Sequence, residues 1–589
     1  MIIQDFHGNF LSVVNGHLVS TRKKSDLGVM ISGKNFIFYD KNQFENFSVC
    51  EGGRSVCGHA FAASINEDGN ISFLHLETGK ILSGIPCQED HDYQVCGLRD
   101  EKYDWEIFSI HLESDAENIE DVIEERFFCN PGSITVAEIT KIIESKLSDR
   151  KKKILLSALL AAFELDFQKP LCECIEKIDV FSKIIIDLLV DNEEIKKSLI
   201  ELMLWMRLGR GEEYYYDISG KFLGFDKTSH SGYELNTEET LLHCLRRNIS
   251  PIKKSCIVTT IKNEGVYILD WIAHHKAMGF EKIFIYSNDN TDNSDNLLKI
   301  LSDKKIITWL KSTAAPGANA QGQSYSHALM FNKEILNYEW SAFVDMDEFF
   351  CVNKSKFFNI NEFLLWHSQS REDCICINWC FVSPSNQSRF RQDPIFSRFD
   401  VYGGIDQHIK SCFRPHFFHG SHPHYPISSS IYNPIFVESD KSAHTSLLGP
   451  IRGEKAFSDF PTGSDAIVYH YFLKSAEEFV WKFSRNRGDY PNVVDDIYIN
   501  IEDMVSFSSH FFQEYKQTHS NETGKLMLAS REESIKEREK LLEDADILHA
   551  YNLILSSYKE RMEKLLQLCK TYEGKYENCS RLLNIIEND

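Results

Sequence analysis

Residues 255–264 read Ser-Cys-Ile-Val-Thr-Thr-Ile-Lys-Asn-Glu, an apolar, β-branched stretch that ends abruptly in polar side chains. The stretch predicts a buried strand over 256–260, and Asn263 can cap a helix that runs to Met278 before Gly279 ends it. Further apolar runs predict strands at 282–286, 306–309 and 341–344. Alternating strands and helices indicate a mostly parallel sheet covered by helices, which we assign to residues 251–495.

Polar residues follow three of these predicted strands at the point where each ends. They are Lys262-Asn263-Glu264, then Asn288-Asp289-Asn290-Thr291-Asp292, then Asp345-Met346-Asp347-Glu348. Ligands of open α/β sheets bind beyond the carboxyl ends of the strands. These three segments are therefore the predicted binding edge of the domain.

The acidic segment is the most informative of the three. An apolar run leads into Asp345, and Phe349-Phe350 follow Glu348, so three carboxylates interrupt a buried segment. Burying carboxylates is costly unless a cation is present. Since residues two apart in an extended chain point to the same side, Asp345 and Asp347 can face one divalent ion and a diphosphate that it neutralises.

Several segments in this part of the chain together carry a family resemblance. They are Thr260–Glu264, Trp271–His275, Gly279-Phe280, Tyr286–Asp292, Phe343–Phe349, Trp379, Lys410–Pro415 and His470–Phe479. In this order they resemble the family-2-like and family-92 glycosyltransferases of GT-A fold. The resemblance implies a Rossmann-like nucleotide-diphospho-sugar transferase domain, a nucleotide-sugar donor, a manganese or magnesium ion, and inversion at the anomeric carbon.

The resemblance also implies roles for single residues. The nucleoside is expected against the loop that contains Thr260, Lys262, Asn263 and Glu264 and the turn that contains Asn288, Asp289 and Asp292. Asp347 is expected to hold the metal, with Asp345 on the ribose or on the metal through water, and His470 completing the metal shell. Lys474 with Arg485 or Arg487 is expected to clamp the diphosphate. A solvated turn, a hydrogen-bonded histidine and solvated helix charges are the alternatives.

The general base of an inverting transfer must be a carboxylate or imidazole beside the acceptor hydroxyl. Asp406, Asp400 and Glu348 are candidates by position, and the histidine-rich segment 416–424 offers imidazoles. That segment matches no standard zinc spacing, which argues against a second metal site. Residues 381–384 read Phe-Val-Ser-Pro where the family often has Phe-Gly, so the acceptor is left open.

Residues 1–112 carry short alternating apolar runs broken by glycine and asparagine, which predict an all-β module. Two imperfect copies of one unit resemble the β-trefoil of fascin-like or ricin-like domains. A carbohydrate-binding accessory module and a structural β domain are both compatible with this pattern.

Residues 113–250 and 496–589 have the apolar periodicity of helices. We assign the first segment to a helical linker domain without chemistry of its own. For the second, a solvated helical hairpin and an oligomerising coil that makes a homo-oligomer are the alternatives.

The overall composition excludes some classes of function. The chain has 589 residues and a formal net charge of −23, which argues against a broad nucleic-acid surface. Neither a secretory signal nor an apolar run long enough to span a bilayer is evident, so we expect a cytoplasmic protein, peripheral at most to the inner membrane of a bacterium. The 16 cysteines lack paired metal spacing and indicate reduced packing thiols.

The sequence therefore predicts a metal-dependent glycosyltransferase that moves sugar from a UDP-sugar to a glycan or glycolipid acceptor in bacterial surface polysaccharide, lipopolysaccharide or capsule synthesis. The alternative is a non-catalytic glycan-binding protein with a relic transferase domain. A nucleotidyltransferase would need a glycine-rich basic loop after the first strand, where Lys262-Asn263-Glu264 stand instead.

Overall fold

The structure is a computed structural model. It describes residues 2–14, 17–22, 27–32, 35–40, 48–51, 54–57, 60–65, 70–75, 80–84, 93–100, 104–111, 134–160, 165–219, 235–313, 319–428, 434–446, 456–484, 499–518 and 522–588. The chain divides into two compact units. One comprises Met1–Gly209, Ser231–Ile249 and Ser428–Asn433, and the other comprises Arg210–His230, Ser250–Ile427 and Pro434–Asp589.

The first unit begins with an all-β module, as predicted. Its strands are Ile2–Asp5, Phe10–Val14, His17–Thr21, Leu27–Ser32, Asn35–Asp40, Ser48–Glu51, Arg54–Cys57, Ala60–Ile65, Ile71–His75, Ile81–Ser83, Tyr93–Val95, Gly97–Arg99 and Phe108–His111. The first strand pairs antiparallel with the last, Ile2 opposite His111. The rings of Phe38, Phe61 and Phe73 contact one another in the core of the module. The β-trefoil assignment remains a prediction.

The described residues that follow in the first unit, from residue 134 onward, are mainly helical. Its helices are Val136–Glu144, Asp149–Leu160, Leu165–Glu176, Val180–Leu189, Glu193–Arg207 and Thr237–Arg247. Local capping explains where they begin: Thr135 and Glu138 form a capping box, and Asn192 accepts from the backbone of Glu194 and Ile195. Within the predicted helical segment 113–250, these helices account for most of the described residues, and one short strand, which belongs to the second unit, is an exception.

The second unit is built on a mixed sheet. Its strands are Tyr215–Asp217, Lys253–Ile261, Lys282–Asn288, Thr308–Ser312, Tyr338–Phe343, Glu348–Val352, Cys374–Val382, Tyr402–Phe413, Phe436–Glu438 and Ala466–His470, with a separate pair Gly420–Ser421 and Pro426–Ile427. Its α-helices are Ile268–Met278, Ser294–Asp303, Ala320–Met330, Ile360–His367, Ile395–Arg398, Ala476–Lys482, Ile501–Tyr515, Lys525–Leu542, Ala545–Thr571 and Glu577–Glu587, with 3-10 turns at Gly265–Tyr267, Glu334–Asn337, Pro415–Phe417 and Glu522–Gly524.

The predicted parallel sheet is present. Strands Thr308–Ser312, Lys282–Asn288, Lys253–Ile261 and Tyr338–Phe343 lie side by side in that order, all parallel. Strand Tyr402–Phe413 continues the sheet antiparallel to Tyr338–Phe343. The carboxyl ends of the four parallel strands therefore meet at one edge, which brings the predicted polar segments together.

Two local predictions are wrong. Residues Tyr215–Asp217, predicted helical, form an edge strand parallel to Thr308–Ser312, because the ring of Tyr215 packs on Trp309; three residues are too few to show a period. Asn263 does not cap the first helix, which begins at Ile268 after a 3-10 turn. Gly279 ends that helix in the left-handed region, φ 94°, as predicted.

The carboxyl-terminal helices belong to the second unit and not to a separate region. Helix Lys525–Leu542 packs on helix Ile268–Met278, where Ser534 Oγ lies 3.0 Å from His274 Nδ1. The apolar residues that suggested an oligomerising coil, such as Ile554 and Leu565, are buried within this unit. Long periodic helices resemble coiled coils in sequence, whether the apolar face meets the same chain or another copy.

Two further features of the described residues concern their cysteines and the character of their helices. Twelve described cysteines are buried, which suits packing thiols. No described helix combines the length and the apolar composition that crossing a bilayer requires.

Candidate active site

The acidic segment forms the turn between strands Tyr338–Phe343 and Glu348–Val352. Trp271 Nε1, on helix Ile268–Met278, donates to the backbone oxygen of Asp345 at 3.0 Å. The backbone N–H of Asp345 donates to Glu348 Oε2 at 2.8 Å. The turn is therefore held from both sides, and the directions of its three carboxylates are fixed.

Asp345 already has chain partners on both of its carboxylate oxygens. Gln321 Nε2 donates to Oδ1 at 2.7 Å, and Lys410 Nζ donates to Oδ2 at 3.0 Å. Gln321 is brought there by helix Ala320–Met330, whose first turn is capped by Asn319. Asp345 remains 34% exposed, so it borders the open part of the site.

The side chains of Glu348 and Lys410 lie together, fully buried, behind Asp345. Lys410 Nζ lies 3.1 Å from Glu348 Oε2, and the two side chains are 1% and 0% exposed. Burial, reinforced by the charges of Asp345 and Asp347, raises the pKa of Glu348 to about 8. Burial opposes the charge of Lys410, but Asp345 and Glu348 outweigh it and raise the pKa of the ammonium. Lys410 is therefore a fixed positive charge under the acidic turn.

The two carboxylate oxygens of Asp347 have different kinds of partner. Oδ2 accepts from Lys482 Nζ at 2.8 Å and lies 3.4 Å from Lys474 Nζ. Oδ1 lies 3.6 Å from His470 Nε2. Burial opposes ionisation, yet the charges of Lys482, Lys474 and His470 hold the pKa of Asp347 well below its ordinary value. Asp347 is therefore an anion held by two ammonium groups, with one oxygen turned to an imidazole.

Strand pairing and a helix cap explain this arrangement. His470 ends strand Ala466–His470, which pairs antiparallel with Glu348–Val352 so that His470 lies opposite Glu348. Lys474 follows in the left-handed region, φ 55°, just before helix Ala476–Lys482 begins. Ser475 and Glu478 form a capping box on that helix, and Lys482 is its last residue. Both lysines are thus presented to Asp347 from the two ends of one short helix.

The geometry allows a test of whether a divalent cation fits. The 3.6 Å between Asp347 Oδ1 and His470 Nε2 is too long for a hydrogen bond. It is near the roughly 3 Å expected between neighbouring ligands of an octahedral ion. His470 Nδ1 is buried and, among the described residues, has no hydrogen-bond partner. One carboxylate oxygen and one imidazole nitrogen therefore fit as two ligands of a manganese or magnesium ion.

The remaining ligands would have to come from outside the chain. No group of three or more His, Cys, Asp and Glu side chains suited to a metal is found in the part of the chain that the structure describes. Asp345, predicted as a ligand, faces Gln321 and Lys410. An ion held by Asp347 and His470 would leave positions for phosphate oxygens and water, which is how magnesium commonly binds with substrate phosphates.

The two predicted nucleoside segments hold each other at the same edge of the sheet. Asn263, in the left-handed region at φ 53°, accepts from the backbone of Thr291 at 2.7 Å, and its own N–H donates to Asn290 at 2.7 Å. Asp292 is buried and accepts from Gly265 N at 2.9 Å. Asp292 therefore joins the two segments.

The other predicted nucleoside residues line the same two segments. Asp289 accepts from Thr313 Oγ1 at 3.2 Å. Burial lowers the pKa of Lys262, and the charge of Asp289 opposes that shift. Thr260 is half-buried, whereas Glu264 and Asn288 are buried. The negative charge of Asp289, in the turn, therefore attracts the ammonium of Lys262, in the loop.

Rings form the other wall of the site. Trp379 packs edge-on against His470, with ring centroids 4.4 Å apart, and lies parallel to His408 at 4.9 Å. Asp406 Oδ1 accepts from His408 Nδ1 at 2.5 Å. His424 also contacts Trp379, at 5.1 Å between centroids. Asp406, predicted as a catalytic residue, is thus brought to the ring cluster that borders His470.

The remaining predicted residues are Arg485, Arg487, Asp400 and the histidines of segment 416–424. Arg485 and Arg487 lie outside the described residues. Asp400 is exposed just before strand Tyr402–Phe413. Within the histidine-rich segment, His416 bonds the backbone of Leu336 and His424 bonds that of Ile409.

Three residues that touch the carboxylates had no role assigned from the sequence. Gln321 and Lys482 belong to no recognised motif, and Lys410 was noted only within a family segment. A lysine seven residues after Ser475 offers a weak signal, because it ends the helix that the capping box begins.

The comparisons with known proteins concern the part of the chain that contains this site. Residues 255–432 match the family model of glycosyltransferase family 92, which confirms the resemblance seen in the motifs. A glycosyltransferase family 92 protein of Ricinus communis is 32% identical over 95 residues, 16% of this chain and 16% of that protein. One of Arabidopsis thaliana is 29% identical over 101 residues, again 16% of each. The chain thus matches about a sixth of the length of these relatives.

Solved structures align more broadly but loosely. A crystal structure of Staphylococcus aureus TarS, residues 1–349, is 12% identical and covers 57% of this chain and 90% of its own, with a TM-score of 0.22. The crystal structure of HddC from Yersinia pseudotuberculosis is 9% identical and covers 31% of this chain and 89% of its own, with a TM-score of 0.19.

Proposed function

We propose, from the family-92 glycosyltransferase segment at residues 255–432 and the charges gathered beside it, that this protein is a metal-dependent glycosyltransferase of GT-A fold. Its donor is a nucleotide sugar. The observation that carries the proposal is the divided carboxylate of Asp347, with Oδ2 on Lys482 and Lys474 and Oδ1 toward His470. This arrangement suits a diphosphate, which needs cations on several of its oxygens.

Asp347 and His470 would hold the metal. A manganese or magnesium ion bound there would neutralise the diphosphate and stabilise the charge that it gains as the sugar departs. Lys474 and Lys482 lie at the same carboxylate and would donate hydrogen bonds to the diphosphate. Lys482 also lies 3.7 Å from the ring centroid of Phe472, which restricts the path of its ammonium.

The nucleoside binds at the edge formed by the Lys262 loop and the Asp289 turn. Their mutual hydrogen bonds, through Asn263 and Asp292, make this edge rigid before the donor arrives. Thr260, Glu264 and Asn288 lie on the same edge. Asp345 borders both this edge and the metal position, which suits a contact to the ribose.

The acceptor approaches from the side of Trp379 and Asp406. Glu348 is unsuited to contact an acceptor, since it is fully buried and bonded to Lys410 and to the backbone of Asp345. It supports the acidic turn instead. The general base of an inverting transfer therefore belongs among the groups beside Trp379.

We also propose that the donor is a UDP-sugar, that the anomeric carbon is inverted, and that the acceptor is a glycan or glycolipid. The bacterial surface pathway expected from the sequence rests on the sequence alone, and the matching relatives named above are plant proteins.

Hydrolysis of nucleotide sugars tests the proposal without a known acceptor. Purified protein is incubated with UDP-glucose, UDP-galactose or UDP-N-acetylglucosamine, with MnCl2 or with EDTA, and released UDP is measured. We expect release only with the metal, and loss of release in Asp347→Asn. Asp303→Asn, which alters an exposed pair with Lys299, is the matched control. Release that is equal in EDTA, or intact in Asp347→Asn, contradicts the assignment.

A further inference from the structure

A β-bulge shapes the strand that carries Asp406. Strands Cys374–Val382 and Tyr402–Phe413 pair antiparallel, and their register shifts between Asn378, opposite Ile409, and Cys380, opposite Ile405. The extra residues on the second strand include Asp406 and His408. Asn378 Nδ2 fills the bulge and donates to the backbone oxygen of Asp406 at 3.0 Å. Bulges beside active sites commonly re-aim side chains, and this one directs Asp406 and His408 together.

Asp406 fixes the proton of His408. Asp406 Oδ1 accepts from the backbone N–H of His408 at 2.9 Å and from its Nδ1 at 2.5 Å. A carboxylate acceptor assigns the proton of the neutral ring to Nδ1, so the lone pair lies on Nε2. Nε2 has no hydrogen-bond partner among the described residues, and His408 is 35% exposed. The imidazole of this partly exposed side chain is therefore held in the tautomer of a base.

Trp379 connects this imidazole to the metal position. Its ring is stacked on His408 at an interplanar angle of 16° and meets His470 edge-on. Trp379 Nε1 is a buried donor without a hydrogen-bond partner among the described residues. Buried N–H donors are rarely left unbonded, so this one points to an acceptor supplied by a ligand. His408 and Trp379 together present a donor and a base one ring away from His470.

We propose that His408, positioned by Asp406, is the general base of the transfer. This inference rests on the proposed function. The acceptor hydroxyl oxygen forms a bond to the anomeric carbon while the bond from that carbon to the diphosphate oxygen breaks. The hydroxyl proton passes to His408 Nε2, giving an imidazolium that Asp406 stabilises, and the electron pair of the broken bond leaves with the diphosphate.

Imidazole suits this role better than the carboxylate beside it. Burial opposes ionisation of Asp406, but the hydrogen bonds from His408 lower its pKa, which makes its carboxylate a weaker base. The titratable groups that face His408 are Asp406 on its own strand and His424, 6.0 Å away between ring centroids. His470 is separated from it by Trp379.

Chemical rescue distinguishes a base from a structural residue. We expect His408→Ala to lower kcat for hydrolysis of UDP-glucose, UDP-galactose or UDP-N-acetylglucosamine with MnCl2 by at least about 100-fold, the usual contribution of a general base. The dissociation constant of UDP with MnCl2, measured by calorimetry, should stay within about twofold, since the base contributes to proton transfer more than to diphosphate binding. Added imidazole should restore at least about a tenth of the lost rate.

Two further variants sharpen the test. Asp406→Asn should lower kcat without rescue by imidazole, because the ring of His408 is still present. His549→Ala removes an exposed histidine of the carboxyl-terminal helices and should leave kcat unchanged.

The outcomes separate the two levels of the proposal. Wild-type protein that neither binds UDP with MnCl2 nor hydrolyses any of the three donors overturns the proposed function. An active wild type whose His408→Ala variant keeps its kcat overturns the inference alone. Loss of kcat in His408→Ala without rescue by imidazole, together with rescue of Asp406→Ala by formate, assigns the base to Asp406 and also overturns it.

Discussion

Lys482 Nζ lies 2.8 Å from Asp347 Oδ2, and the two side chains are only 19% and 8% exposed. With Lys474 on the same oxygen, the ammonium groups hold the carboxylate so that its other oxygen turns to His470. The site thus carries positive charge of its own beside the position proposed for the metal. A diphosphate that arrives there meets lysines as well as the ion.

Replacing Lys482 by alanine should weaken binding of the nucleotide-sugar donor more than it slows the chemical step. A charge-assisted hydrogen bond contributes about 1.5–3 kcal/mol, so we expect the KM for the nucleotide sugar to rise roughly 10- to 100-fold. Steady-state hydrolysis at varied donor concentration measures this. Lys299→Met, which removes an exposed lysine paired with Asp303, is the control. An unchanged KM in Lys482→Ala would mean that this ammonium never meets the diphosphate.

Replacing Asn378 by alanine should destabilise the protein and impair transfer. Asn378 is fully buried; its Nδ2 donates to Asp406 O at 3.0 Å, and its Oδ1 accepts from Thr462 N at 3.0 Å. Leaving these backbone groups unpaired costs about 1–3 kcal/mol in the free energy of unfolding, measured with urea.

The control for that variant is Asn361→Ala. Asn361 Nδ2 donates to Gly279 O at 3.0 Å, away from the ring cluster. It should lose stability without losing kcat, whereas Asn378→Ala should lose both. Equal kcat in the two variants would argue against the bulge as the feature that positions His408.

The buried ion pair of Arg398 and Glu478 should be costly to break. Its two hydrogen bonds measure 2.7 and 2.8 Å, and both side chains are buried. Glu478→Gln leaves the guanidinium without its anion and should lower the free energy of unfolding by about 3–5 kcal/mol. Because Glu478 caps the helix that presents Lys474 and Lys482, donor affinity should fall as well.

The same pair predicts a pH dependence. Burial opposes ionisation, but Arg398 lowers the pKa of Glu478 below its ordinary value of 4.5. A lowered folded-state pKa contributes stability that is present above the unfolded value and lost as the pH falls through the folded one. Urea unfolding at pH 7 and pH 3 should therefore show a smaller difference between wild type and Glu478→Gln at pH 3. A constant difference contradicts the assignment.

Replacing Arg538 by methionine should destabilise the whole second unit. Arg538, on helix Lys525–Leu542, lies 2.5 Å from Asp270 on the first helix, and Asp270 also accepts from Ile395 N at 2.8 Å. Removing the cation from a buried carboxylate costs about 3–5 kcal/mol. We expect one urea transition at lower concentration, because the carboxyl-terminal helices share the core of the sheet. Separate unfolding of these helices, with the sheet unaffected, is the contrary result.

Much of the parallel sheet and its acidic edge follows from sequence patterns. Apolar β-branched runs ending in polar residues place Lys262, Asp289 and Asp345 at one edge, since parallel strands share a direction. Local patterns also explain Gly279 as a helix end. The strand ends and the helix end depend on residues near one another in the chain, and the shared edge follows from the parallel direction of the strands.

What the sequence did not reveal depends on distant pairing. Lys482 meets Asp347 because strand Ala466–His470 pairs beside Glu348, a register that no periodicity encodes. The bulge around Asn378 likewise needs two strands at once. Asn263 has the composition of a helix cap, but its side chain bonds Thr291 in a segment that lies 28 residues later.

A crystal structure with UDP and MnCl2, with the metal located by its anomalous scattering, tests the central claim most directly. We predict one manganese ion coordinated by Asp347 Oδ1 and His470 Nε2, with the diphosphate between it and the ammonium groups of Lys474 and Lys482. A diphosphate bound at this edge with the manganese ion on other residues, or with no ion near Asp347, would contradict the account.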